Sequence, residues 1–167
     1  MAEAGVWGHE ERVELVDGEV LPLAPVDSRH SGCVNRISHL FFTRFADRAV
    51  VAVQSPIEVD DYSEPQPDLV LLRLRSDYYS AHHGLPPDTL LVVEVSDTSL
   101  RFDLGRKRAL YLARGVPEVW VADVVRGVVH VATAAEMRQL TRGESVTPTA
   151  FPDEVVAVVD ILGPPLG

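Results

Sequence analysis

Three spacings of hydrophobic residues divide the chain: strict alternation, recurrence every three or four residues, and unbroken apolar runs. Arg12 to Val20 alternates and carries Asp17-Gly18 at its centre, which predicts a β-hairpin closed by a type I′ turn. On that pattern Glu14 and Glu19 face solvent, with Glu14 kept as a supporting site candidate. Ser28 is read as an N-cap, and a helix follows to about Asp47. Its stripe is Cys33, Ile37, Leu40, Phe41 and Phe45, at spacings of three and four. Arg29, Arg36, Arg44 and Arg48 lie mostly on the polar side, and His30 and His39 read as surface or boundary residues. Ala49 to Gln54 is a strand that Ile57 to Val59 extends beyond a kink at Pro56. The acidic connection Asp60 to Gln66 follows.

Two unbroken apolar runs come next, and each has a carboxylate at one end. Pro67-Asp68 leads into Leu69-Val70-Leu71-Leu72, and Leu90-Leu91-Val92-Val93 runs out through Glu94-Val95-Ser96. Such runs predict strands buried on both faces. A Glu at the end of one must lie at the sheet's exposed mouth or be held by something electropositive. Asp97-Thr98-Ser99 caps a helix that starts near Leu100 and stops at Gly115, with Pro117 beyond. Asp103 and Lys107 share a face of that helix. Glu118 to Val124 is a strand, Arg126-Gly127 turns into Val128 to Val131, and a last apolar strand spans Val155 to Ile161. Residues 1 to 10 read as frayed and the Gly-Pro-Pro-Leu-Gly tail as loose. The order predicts an α/β (mixed α+β) fold whose sheet is covered by helices.

Composition narrows the function. At 167 residues the chain is expected to form one domain, 1–167. The net charge of −10 argues against nucleic-acid affinity driven by overall charge, but allows a local basic groove or acids gathered at a metal. No apolar run is long enough for a bilayer, so no membrane partner is expected, and the N-terminus lacks the pattern of a signal peptide. The lone cysteine, Cys33, cannot form an internal disulfide, and a cytoplasmic location is expected. It is read as a buried structural thiol. Among fifteen basic residues only Lys107 is a lysine, a side chain that presents a compact charge and shifts its pKa as Arg cannot.

Asp68 opens one strand and Glu94 closes another. If the two are adjacent and antiparallel, the carboxylates converge at one sheet edge. Two hard oxygen ligands that leave room for water suit Mg²⁺ or Mn²⁺. No Cys/His cluster suggests zinc, and no phosphate loop, dinucleotide fingerprint or nucleophile elbow is present. A cation there polarises a phosphodiester, and a nearby lysine orients water. Lys107 can reach back to the sheet edge with Asp103 directing it. Neutralising either acid is expected to relieve like-charge repulsion and raise the melting temperature in metal-free buffer.

Four blocks carry a family likeness: Pro65-Gln66-Pro67-Asp68-Leu69-Val70, Val92-Val93-Glu94-Val95-Ser96, Asp103-Leu104-Gly105-Arg106-Lys107, and Tyr111 with Gly115 to Asp123. In this order they resemble the PD-(D/E)xK nuclease superfamily, specifically its bacterial putative restriction endonuclease family. The resemblance implies a restriction-endonuclease-like core of helix, three strands, helix and strand at about 28–124, flanked by an N-terminal hairpin and a C-terminal β extension. It implies metal ligation by Asp68, Glu94 and the main-chain carbonyl of Val95. Ser96 stands where the motif lysine would be, and the lysine role passes to Lys107. The implied activity is divalent-metal-dependent DNA endonuclease, with Asp68, Glu94 and Lys107 catalytic and Asp103, Ser96 and Glu14 supporting. A basic path is sought in Arg73, Arg101 and Arg106, and a homodimer or higher oligomer in the need to cut two strands. The alternative is an inert or weak nuclease-fold scaffold, which the net charge and displaced lysine favour. A small-phosphoester hydrolase is a third reading.

Overall fold

The computed structural model describes residues 12–165. The stretch read as frayed lies outside that range, as do the last two residues of the tail.

The hairpin forms as expected from β1 (Val13–Val16) and β2 (Glu19–Pro22), paired antiparallel. Asp17 at φ +49° and Gly18 at φ +80° make the turn, the two left-handed residues a type I′ turn needs. Helix α1 (Ser28–Phe45) follows. Its cap is Asp27 rather than Ser28: the Asp27 carboxylate accepts the His30 N–H at 2.8 Å. Strand β3 (Ala49–Val53) stops where Gln54 turns at φ +50°. The expected extension at Ile57–Val59 is not a strand, and Ile57 makes only an isolated bridge to Gly84.

Strands β4 (Leu69–Arg73) and β5 (Thr89–Ser96) are the two apolar runs. After β5 the chain makes α2 (Leu100–Phe102), a π-helical turn (Asp103–Lys107) and α3 (Arg108–Ala113), so the expected single α-helix contains a wider turn in its middle. It ends before Gly115, whose φ is +93°. Strands β6 (Val119–Asp123), β7 (Val128–Ala132) and β8 (Met137–Thr141) complete a six-stranded sheet of order β3-β4-β5-β6-β7-β8. Only β5 and β6 are parallel, joined by the α2–α3 crossover.

A two-stranded ribbon of β9 (Ser145–Val146) and β10 (Val156–Ala157) precedes α4 (Val158–Leu162). The strand expected over Val155–Ile161 is thus mostly helix. Val158, Ile161 and Leu162 are buried, a helical spacing, while Val159 and Asp160 are exposed.

Alternation along the central strands sorts side chains between two cores. Leu69, Leu71, Leu91, Val93 and Val95 join Ile37, Phe41 and Phe45 of α1. Phe41 lies edge-on to Phe45 and Trp120, with centroids 5.3 and 6.0 Å apart. On the opposite face Val70, Leu72 and Val92 pack with Leu110 and Tyr111 of α3 and Val16 of the hairpin. Glu94, two residues beyond Val92, belongs to this second face, and parity alone aims it at the helix that carries Lys107.

Candidate active site

The antiparallel register of β4 and β5 pairs Leu69 with Val93, so Asp68 and Glu94 fall side by side one step further on. The carboxylate of Asp68 is fixed from two sides. Oδ2 accepts the Val95 N–H at 2.8 Å, and Oδ1 lies 3.0 Å from His30 Nε2. A strand residue's N–H and C=O point to the same side, so the Val95 carbonyl faces this edge too. The hydrogen bond to Asp68 raises the His30 imidazole above its ordinary pKa, against the opposing effect of burial. His30 is not the ordinary boundary residue of its helical pattern. It is the side chain by which α1 reaches the sheet edge.

Glu94 is 3% exposed and Lys107 2%. Lys107 Nζ lies 2.7 Å from Glu94 Oε1 and 3.0 Å from Glu14 Oε2. Glu14 is also buried, at 6%, which corrects its expected place on the solvent face. The hairpin turns Glu14 and Val16 inward, and Glu14 is tolerated there because Lys107 and the Gln66 N–H, 3.0 Å from Oε2, satisfy it. Tyr111 donates its hydroxyl to Glu94 Oε1 at 2.7 Å.

The intrahelical Asp103–Lys107 pair is not made. Asp103 Oδ2 instead accepts the hydroxyls of Ser96 at 2.6 Å and Ser99 at 2.5 Å. The π turn moves Lys107 out of α-helical phase with Asp103 and onto the acids of β5 and β1. Ser96, in place of the motif lysine, tethers the start of that helix.

Burial pushes the Glu94 carboxyl up to about 8; Lys107 opposes this, and the charges of Asp103 and Asp68 add to it. Burial alone would lower Lys107, but Glu94, Glu14 and Asp103 outweigh it and raise the ammonium above its ordinary value. Asp103 is raised by burial, with Lys107 opposing.

Asp68, Glu94, Val95, Glu14, Asp103, Lys107 and His30 all line one cleft. Among the described residues no three His, Cys, Asp or Glu side chains form a ready metal cage. The donors are two carboxylates and a carbonyl, the hard and incomplete set that suits Mg²⁺ with water in its remaining positions. Only Glu94 and Glu14 contact the Lys107 ammonium, and a divalent cation would offset the charge of the further carboxylates Asp68 and Asp103 in the cleft. The residues therefore fit the group.

The three arginines expected along a basic path are scattered. Arg106 is bound to the hairpin, at 3.1 Å from Asp17, 2.8 Å from Glu19 and 3.0 Å from the Val16 carbonyl. Arg73 donates to the Pro87 carbonyl at 3.0 Å, at the end of β4 away from Asp68. Arg101 is exposed beside Thr98 and Ser99, at the cleft's rim. His30 and Gln66 have partners distant in the chain, so no local pattern marks either one.

No curated protein matches the chain. Its fold is that of a solved structure described as a putative nuclease belonging to DUF820 from Anabaena variabilis ATCC 29413. The TM-score is 0.74 at 12% identity, over 92% of this chain and 90% of that one. Among the described residues no helix is long and apolar enough to cross a membrane. A family model described as Uma2, putative restriction endonuclease, matches residues 6–160, and the chain belongs to that family.

Proposed function

We propose that this protein is a divalent-metal-dependent DNA endonuclease. The observation that supports it is the convergence of Asp68, Glu94 and the lone lysine Lys107 from three elements on one cleft. Asp68, Glu94 and the Val95 carbonyl would hold Mg²⁺ or Mn²⁺, which when bound supplies Lewis-acid activation of the phosphodiester and of water. Lys107 places a positive charge where the scissile phosphate gains negative charge and orients the attacking water. Glu14 and Tyr111 fix Lys107 and Glu94 so that neither must reorganise. Two copies related by a two-fold axis would address both strands, and a dimer is expected in sedimentation.

The experiment is cleavage of supercoiled plasmid with Mg²⁺ or Mn²⁺ by the wild type, Asp68→Asn and Lys107→Met. Wild-type cleavage, with each variant slowed about 100-fold or more, supports the reading. Cleavage that persists in Asp68→Asn overturns this site. A wild type that binds metal in calorimetry but cuts no DNA moves the protein to the inert scaffold. That reading is favoured by the engagement of Lys107 with two buried carboxylates.

A further inference from the structure

A second cavity opens beside the cleft, and its charge is opposite. Arg29, Arg36, Arg126 and Arg142 line it, and no described lining residue is acidic. In a chain of net charge −10, four converging arginines are not an average surface.

Arg142 and Arg36 rest on backbone, while Arg126 and Arg29 each lie beside one aspartate outside the lining. Arg142 Nε donates to the Gly163 carbonyl at 2.8 Å. Arg36 lies over Gly163 so closely that a Cβ there would sit 2.6 Å from its Cζ. A Cβ on Gly127 would collide with Arg142 in the same way. Both glycines have positive φ, +70° and +75°, so their backbones form flat seats for the two arginines. Arg126 is 68% exposed in its side chain, with one nitrogen 3.1 Å from buried Asp123. Arg29 meets Asp97 only at 3.9 Å.

The cavity adjoins the cleft. Val124, in its wall, donates its N–H to the Ser96 carbonyl at 3.1 Å, and Asp97 and His30 flank Arg29 in the cleft.

We propose that this arginine cavity binds the phosphate backbone of DNA and leads a strand to Asp68, Glu94 and Lys107. Planar guanidiniums with free N–H edges suit phosphate oxygens. The proposal rests on the nuclease reading.

The test is fluorescence anisotropy of a labelled DNA duplex across a salt series, with Ca²⁺ in place of Mg²⁺. The proteins are wild type, Arg36→Gln, the Arg36→Gln/Arg126→Gln double variant, and Arg138→Gln as a control of equal charge change on β8. Circular dichroism melts establish folding. Each cavity arginine is expected to weaken binding about three- to fivefold and lower the log–log salt slope by about one, with Arg138→Gln near wild type. Equal weakening by Arg138→Gln, or none by the double variant, overturns the cavity even if the wild type cleaves. Cavity-dependent binding without wild-type cleavage in Mg²⁺ overturns the nuclease reading and leaves the cavity standing. Competition by inorganic phosphate at the duplex's own affinity would assign the cavity to small phosphoesters and overturn a DNA path.

Discussion

Lys107 and Tyr111, one turn apart on the crossover helix, meet on the same oxygen of Glu94, each at 2.7 Å. Both are buried, so Oε1 carries two donors in a dry setting. Tyr111→Phe is therefore expected to cost about 1.5–3 kcal/mol in urea unfolding above pH 8, where Glu94 is ionised, the range for a hydrogen bond to a charged acceptor. An unchanged midpoint would mean that Lys107 alone holds the acid.

The contact of Glu94 with Lys107 reverses the sign expected for removing its charge. Two converging carboxylates suggest relief of repulsion and a higher melting temperature. Lys107 lies between Glu94 and Glu14, so Glu94→Gln leaves a buried ammonium with one partner. Above pH 8, where Glu94 is ionised, a loss of about 3–5 kcal/mol is expected, largely recovered in Glu94→Gln/Lys107→Met. Denaturant melts of the single and double variants in metal-free buffer measure it.

Cys33 sits in α1 with its Sγ 3.5 Å from the Ile161 carbonyl, and burial pushes its thiol from 9.0 to about 12. A disulfide reagent near neutral pH should modify it only on unfolding. Because the folded value is the higher, this contribution is fully present below pH 9 and is lost as pH rises towards 12, where only the unfolded chain ionises. Reaction of the native protein at the rate of a free thiol would contradict this.

Phe41 is fully buried and joins α1 to the sheet through Phe45 and Trp120. Phe41→Ala should cost about 3–5 kcal/mol by calorimetry. The same change at exposed Phe42 should cost far less.

The central strands were legible because burial on both faces leaves continuous apolar runs, and the acids at their ends followed from strand order. Glu14 was not legible. Val13 and Leu15 suggest an inward face, yet Glu14 and Val16 turn in, since a lysine distant in sequence makes an acid the better core residue there. His30 and the Asp27 cap depend likewise on contacts that no local pattern contains. The run Val155–Ile161 reads as strand from its β-branched residues, but packing of Val158, Ile161 and Leu162 against α1 and β7 overrides that preference. Strand β8 buries only Leu140, too little to mark a strand.

The π turn at Asp103–Lys107 gives the crossover helix two separate anchors. The first ties Asp103 to Ser96 and Ser99, the second Lys107 and Tyr111 to Glu94. A change that shifts the first anchor need not drag the lysine with it. A lineage could therefore retune the serine-anchored half while the charge beside Glu94 stays in place, freedom that a lysine on the strand itself would not have.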